Sequence, residues 1–244
     1  MANCIVYRDI PPCEPGLVDR LKGFSVADLR ESQSSTRRAN SLMSPNMRPV
    51  GHGLRIVGQA VTAVGEPGDN LMLYAALDVI QPGQVLVMTN GGAASGALFG
   101  DVSASFALKI GAAGIVVDGP VRDASTLRGM SCPVWSTLIS PTHPEKRGPC
   151  SVNVPISCAG CVINPGDIVV ADDDAVLVLR PDELETVLET AQIRQSREKE
   201  YRKRISAGDH ICDVLGMREL LHAAGIEYHA NSHIEHGCGH PKLF

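Results

Sequence analysis

The sequence predicts an α/β domain, and three observations carry that expectation. Between residues 54 and 135, short apolar runs of strand character alternate with segments of helical spacing. Gly- and Pro-bearing turns separate them: Glu66-Pro67-Gly68-Asp69-Asn70, Gln81-Pro82-Gly83-Gln84 and Asp118-Gly119-Pro120. The chain has 244 residues, 44% hydrophobic and 20% charged, which is ample for a sizeable core, and no apolar run is long enough to span a bilayer.

In chain order, residues 1–50 carry the weakest pattern. Leu17 to Leu29 has loose helical spacing, and Ser32 to Arg38 is polar. Ser44-Pro45-Asn46-Met47-Arg48-Pro49 reads as a loop, a surface element or gate rather than core. Val57 to Val64 alternates as a strand with Val57, Gln59, Val61 and Ala63 on one face. Leu71 to Ile80 reads as a helix and Val85-Leu86-Val87-Met88 as a short buried strand. Ala93 to Ala97 is a small-residue loop. Asp101 to Ile110 is helical, with Val102, Phe106 and Ile110 at i, i+4 spacing, and Gly111-Ala112-Ala113-Gly114 ends it. Ile115-Val116-Val117 is a buried strand that Asp118-Gly119-Pro120 breaks; a short helix over Ser125 to Met130 and a strand from Val134-Trp135 follow. The next segment is rich in strands, over Cys150 to Ile156, Cys158 to Ile163, Asp167 to Ala171 and Ala175 to Leu179. Pro181 opens a long, charge-alternating helix from about Asp182 to about Ile205, the position at which proline suits a helix start. The tail from about Asn231 is polar.

Composition narrows the function classes. A net charge of 22 − 27 = −5 argues against nucleic acid as the main partner, and 4% aromatic residues leave little for base stacking. The first residues lack the basic and apolar regions of a signal peptide, so a cytoplasmic location is expected. The eight cysteines then read as reduced thiols or metal ligands rather than a disulfide frame.

Three clusters could carry chemistry. Pro67-Gly68-Asp69-Asn70 lies at a strand-to-helix turn, where free backbone N–H groups suit an anion; taken alone it reads equally as a capped turn. Gly96-Ala97-Leu98-Phe99-Gly100-Asp101 permits close approach of a ligand to the backbone, while Asp101 alone reads as a helix cap. Asp118-Gly119-Pro120-Val121-Arg122-Asp123 closes a buried strand, and ligands of α/β sheets collect at the carboxyl ends of strands. There Arg122 suits a carboxylate and Asp123 suits Mg²⁺ or Mn²⁺, though a surface ion pair has the same sequence.

These segments, together with Val169-Val170-Ala171-Asp172-Asp173-Asp174-Ala175-Val176, Met47-Arg48-Pro49 and Pro133-Val134-Trp135-Ser136, fall in an order and spacing that resembles one family. It is the class II 4-hydroxy-4-methyl-2-oxoglutarate / 4-carboxy-4-hydroxy-2-oxoadipate aldolases, which share their fold with the RraA regulators of ribonuclease E. The similarity covers about residues 1–229, is weak over residues 25–46 and is absent from the tail. It implies a single swivelling β/β/α domain over residues 1–229 with a long C-terminal helix, and a separate polar tail over residues 230–244. It further implies a homotrimer or homohexamer with active sites between subunits.

By that resemblance Asp123 is the ligand of a divalent cation, Mg²⁺ or Mn²⁺, and Arg122 binds the substrate carboxylate and keto oxygen. Asp101 holds a metal-bound water. The backbone around Gly96, Ala97, Leu98, Phe99, Gly100 and Val102 grips a pyruvyl carboxylate, and Asn70 lines the pocket. Glu198, with Glu200 as its competitor in register, reaches in from a neighbouring subunit. The implied reaction is retro-aldol cleavage of a 4-hydroxy-2-oxo acid to pyruvate and a second oxo acid. Oxaloacetate decarboxylation is its side activity, because both pass through the same enolate. The competing readings are a dedicated oxaloacetate decarboxylase and a non-enzymatic regulator of a ribonuclease; Asp101 and Glu198 favour the enzyme.

Three further features complete the expectation. Lys109 is the one lysine placed near the pocket, and a helix-end lysine reads as surface rather than as a Schiff base. Arg37 and Arg38 are candidates for a distal carboxylate, or simply a surface loop. Cys158-Ala159-Gly160-Cys161 has zinc-like spacing, with His233, His236, Cys238 and His240 as possible further ligands. Its apolar neighbours favour two small strand residues, on opposite faces if one strand holds both.

Overall fold

A computed structural model describes residues 4–229. The α/β class is the one found. Strands β1 (Arg48–Pro49), β2 (Ile56–Gly65), β3 (Val85–Thr89), β4 (Gly114–Val121), β5 (Val134–Ile139), β6 (Cys150–Val152), β7 (Ile156–Cys158), β8 (Cys161–Ile163), β9 (Ile168–Ala171) and β10 (Val176–Leu179) alternate with helices α1 (Pro15–Leu21), α2 (Val26–Ser32), α3 (Ser35–Arg38), α4 (Leu71–Leu77), α5 (Asp101–Lys109), α6 (Ala124–Gly129), α7 (Leu184–Ser206), α8 (Ile211–Val214) and α9 (Met217–Ala223). The main sheet runs β1-β5-β4-β3-β2-β9-β10, with β6 also paired to β2. Its centre, β2-β3-β4-β5, is parallel, and α4, α5 and α6 are the crossovers. The remaining pairings are antiparallel.

The crossovers pack in one core cluster, and the β7–β8 hairpin with Met43 and Met47 packs in another, so the parallel strands are covered on both faces. β3 is buried along its whole length, and β2 along most of its ten residues. The alternation of β2 separates two buried faces: Val61 and Ala63 enter one core cluster, Ile56 and Ala60 another. A third cluster joins Leu21, Phe24, Val26 and Leu29 to Ile168, Leu177 and the first turns of α7.

Several expectations need correction. The Leu17–Leu29 pattern is two helices, because Ser25 starts α2 with a capping box closed by Asp28. The 44–49 loop is not all surface: Met47 is 1% exposed and packs with Trp135 and Met43 in the core. Asp118-Gly119-Pro120 does not end its strand. β4 continues to Val121 through a register shift between Val117 and Pro120. In α5 the i, i+4 stripe faces outward: Val102 is 78% exposed, while the opposite, small-residue face at Ala104 and Ala107 is buried.

Contacts divide the chain between Arg194 and Gln195. The first unit contains the sheet and the start of α7, where Leu184, Val187, Leu188 and Ala191 are buried. The second contains the rest of α7 with α8 and α9. Among the described residues no helix is long and apolar enough to cross a membrane.

Candidate active site

Parallel strands end on one side of a sheet, so their following turns converge there. β2 leads into the 66–70 turn, β3 into the 90–100 loop, and β4 directly into Arg122 and Asp123. The Gly68 and Gly96 backbones cross so closely that a Cβ on Gly96 would lie 2.5 Å from Gly68 O. Gly96 also has a positive φ of +69°, so two constraints demand glycine there. The Ala97 N–H then donates to Thr142 O at 3.0 Å, and Leu98 N–H to Pro120 O at 2.8 Å. These bonds pin the loop beside the end of β4.

Asp123 is the centre of this arrangement. It sits at the start of α6 with φ 58°, the left-handed region that non-glycine residues rarely occupy, and its side chain makes no cap bond to the helix. The carboxylate turns instead toward Gly100, Asp101 and Arg122. Asp123 Oδ2 accepts the Asp101 N–H at 3.4 Å and lies 3.4 Å from Arg122 Nε. A Cβ on Gly100 would meet that oxygen at 2.7 Å and Arg122 Cγ at 3.2 Å. Asp101 occupies the first turn of α5, where its Oδ1 accepts the Val102 N–H at 2.7 Å.

A cavity of about 540 Å³ opens on Gly100, Asp101 and Arg122, the neighbours of Asp123. Asn70, Ala97, Phe99, Gly100, Asp101, Val102 and Arg122 line it. Tyr74, Leu77 and Phe106 add an apolar wall, and Pro144 and Lys146 complete it. Asn70 is 5% exposed and its Oδ1 is buried without a hydrogen-bond partner. A buried amide oxygen in a ligand-sized cavity is suited to a donor or cation from the ligand side.

Of the sequence candidates, Asn70, Ala97, Phe99, Gly100, Asp101, Val102 and Arg122 line one cavity, with Asp123 against Gly100 and Arg122, while Gly96 and the buried Leu98 do not line it. Ala97, Leu98, Asp101 and Val102 spend their amides within the protein, on Thr142 O, Pro120 O, Asp123 Oδ2 and Asp101 Oδ1. Glu198 lies in the second unit and pairs with Arg202 at 2.6 Å. Lys109 is exposed and does not line the cavity; the lysine that does is Lys146, in an irregular segment without periodicity to announce it. Arg37 pairs with Asp182 at 2.8 Å and Arg38 donates to Gln33 O at 3.1 Å, and neither lines this cavity.

Cys158 and Cys161 are not on opposite faces. Ala159 and Gly160, both at positive φ, form a two-residue turn between β7 and β8, so the two cysteines pair directly across a hairpin and are both fully buried. Burial pushes the Cys161 thiol up to about 11 and that of Cys158 well above its ordinary value. Both are therefore protonated at neutral pH. Among the described residues no group of three or more His, Cys, Asp or Glu could hold a metal. His233, His236, Cys238 and His240 lie outside the described residues.

The chemistry of Asp123 fits a hard divalent cation. Its carboxylate, against the lining residues Gly100 and Arg122, offers oxygen, and Mg²⁺ is commonly held by one or two carboxylates while keeping several waters.

Comparison with known proteins gives the family of the chain. The family profile described as RraA-like, Aldolase/RraA, matches residues 26–178. A Halalkalibacterium halodurans protein named "Putative 4-hydroxy-4-methyl-2-oxoglutarate aldolase" is 33% identical over 164 residues, 67% of this chain and 78% of that protein. A Burkholderia multivorans protein of the same name is 39% identical over 158 residues, 64% of this chain and 95% of that protein. Among solved structures, Streptomyces coelicolor RraAS2, described as an unusual member of the RNase ES inhibitor RraA protein family, superposes with a TM-score of 0.72 at 30% identity, covering 80% of this chain and 98% of that one.

Proposed function

Because this chain belongs to the RraA-like family of aldolases and RraA proteins, we propose that it is a carbon–carbon lyase that cleaves a 4-hydroxy-2-oxo acid to pyruvate and a second oxo acid. The observation that carries the reading is the left-handed Asp123, whose carboxylate lies against Gly100 and Arg122 at the cavity rather than capping its helix.

A divalent cation held by Asp123 would supply Lewis acidity toward the C1 carboxylate and C2 oxygen of the substrate. The chain's own residues do the rest. The Gly100 turn, at the start of α5, receives the pyruvyl carboxylate. The Arg122 guanidinium offers fixed positive charge where the C2 oxygen becomes an enolate. Asp101 holds a water that relays the C4 hydroxyl proton as the C3–C4 bond breaks. The electron pair of that bond passes to C3, and a proton delivered there completes pyruvate. Asn70 Oδ1 fixes the orientation of the bound group. Lys146 supplies a second positive charge for a carboxylate at the far end of the substrate. Tyr74, Leu77 and Phe106 exclude water from the remainder. Loss of CO₂ from oxaloacetate generates the same enolate, so decarboxylation is part of the proposal.

The same reading includes assembly. Val102, 78% exposed beside the cavity, and Phe106, 44% exposed, form the apolar rim that a second copy would cover, and Glu198 of that copy would complete the site.

The test is pyruvate release, coupled to lactate dehydrogenase, from 4-hydroxy-4-methyl-2-oxoglutarate, 4-carboxy-4-hydroxy-2-oxoadipate and oxaloacetate, with Mg²⁺ and with EDTA. Metal-dependent pyruvate from the first two supports the aldolase. Pyruvate from oxaloacetate alone favours a dedicated decarboxylase. None from any of the three favours the regulator reading, which the likeness to the Streptomyces coelicolor protein supports.

A further inference from the structure

The reaction scheme gives no part to the buried acids Asp69 and Asp167, and the first of them adjoins the lining residue Asn70. Asp69 is 5% exposed and immediately precedes Asn70. Its Oδ1 accepts the Leu71 N–H at 2.7 Å, in the first turn of α4. Its Oδ2 accepts the N–H groups of Arg147 and Gly148, the latter at 3.0 Å. The flanking backbone adds two bonds to the same loop: Asn70 N–H to Glu145 O at 3.0 Å and Glu145 N–H to Gly68 O at 2.8 Å. One carboxylate thus joins segments 78 residues apart in sequence. Between the tied residues Glu145 and Arg147 stands Lys146, which lines the cavity.

We propose that Asp69 is a positioning residue, which fixes the backbone under Lys146 and so sets where its ammonium meets the distal carboxylate of the substrate. The inference rests on the reading of the cavity as an oxo-acid site. A lysine is a point charge on a flexible stem, so its selectivity depends on where its backbone is held. Burial alone would raise the Asp69 carboxyl. The N–H groups of Arg147, Leu71 and Gly148, with the Lys146 ammonium, outweigh that and hold it below its ordinary value.

Calorimetric binding in Mg²⁺ of 2-oxoglutarate and of pyruvate tests this without turnover. 2-Oxoglutarate has the pyruvyl end and the distal carboxylate but no 4-hydroxyl to cleave. Wild type is expected to prefer it over pyruvate by about tenfold. Asp69→Asn is expected to bring that preference to about unity while leaving pyruvate affinity within about twofold, and Lys146→Met to do the same. The double variant should fall no further than either single one. Asp69→Ser, which keeps a hydroxyl acceptor, serves if Asp69→Asn does not fold. Equal weakening of both ligands, or losses that add in the double variant, would overturn the role of Asp69. Absence of pyruvate binding to wild type would instead overturn the oxo-acid reading on which it stands.

Discussion

Gly100 and Asp123 are packed so closely that any side chain at position 100 would displace the Asp123 carboxylate, a Cβ there lying 2.7 Å from its Oδ2. Gly100 itself has extended backbone, φ −159°, so the demand for glycine comes from its neighbour and not from its own conformation. Gly100→Ala is therefore expected to fold and to lose at least about a hundredfold in kcat/KM, through misplacement of the carboxylate. Thermal melting beside steady-state kinetics checks both halves; unchanged kinetics would contradict the placement.

Arg122→Lys keeps the charge but loses the planar fork. Its kcat/KM is expected to fall by about 10² while the melting temperature stays put, because the Arg122 side chain is 41% exposed and its pair with Asp123 is long, at 3.4 Å. A drop in melting temperature with unchanged kinetics would assign Arg122 to structure.

Acid stability should depend on Asp69. Its folded value lies below the ordinary 3.8, so its contribution to stability is complete above 3.8 and is lost as pH falls through the lower folded value. Melting temperatures of wild type and Asp69→Asn, followed from about pH 6 to about pH 2, should differ by a constant amount that narrows only at the acid end. A gap that widens toward acid would contradict the direction of the shift.

Cys132, Cys158 and Cys161 should resist alkylation in the native protein at neutral pH, because burial raises all three thiols and the thiolate is the reactive form. Cys4 is exposed and should react first among the described cysteines. Mass spectrometry after brief iodoacetamide treatment reads this, and early labelling of Cys161 would contradict the buried hairpin.

The parts of the site legible in the sequence are those that end a regular element. Asn70, Asp101, Arg122 and Asp123 each stand at a strand-to-helix turn, and a parallel sheet brings such turns to one edge. What escaped the sequence depends on distant partners. The continuation of β4 past Asp118 is held from β5: Gly119 N–H donates to Thr137 Oγ1 and Ser136 Oγ donates to Gly119 O, both at 2.9 Å. Nothing local to Asp118-Gly119-Pro120 records those bonds. Lys146 stands in an aperiodic loop that Asp69 places from 77 positions away, and a window of local spacing contains only one end of that contact. The outward stripe of α5 misleads for a related reason. Periodicity reports an apolar face but not which neighbour covers it, and the tight approach to the sheet is made by Ala104 and Ala107. The acidic run Asp172-Asp173-Asp174 likewise serves the fold: Asp172 accepts the Val26 N–H at 2.8 Å and, through its carbonyl, the Trp135 Nε1–H at 3.1 Å.

The most direct test of the central claim is metal-dependent pyruvate release by wild type, Asp123→Asn and Asp123→Gly, assayed on 4-hydroxy-4-methyl-2-oxoglutarate with Mg²⁺ and with EDTA. Asparagine and glycine both tolerate the left-handed backbone at position 123, so both variants should melt close to wild type. The account predicts pyruvate from wild type with Mg²⁺ only, and a loss of at least about 10³-fold in both variants. Turnover by either variant at the wild-type rate, or by wild type in EDTA, would contradict it.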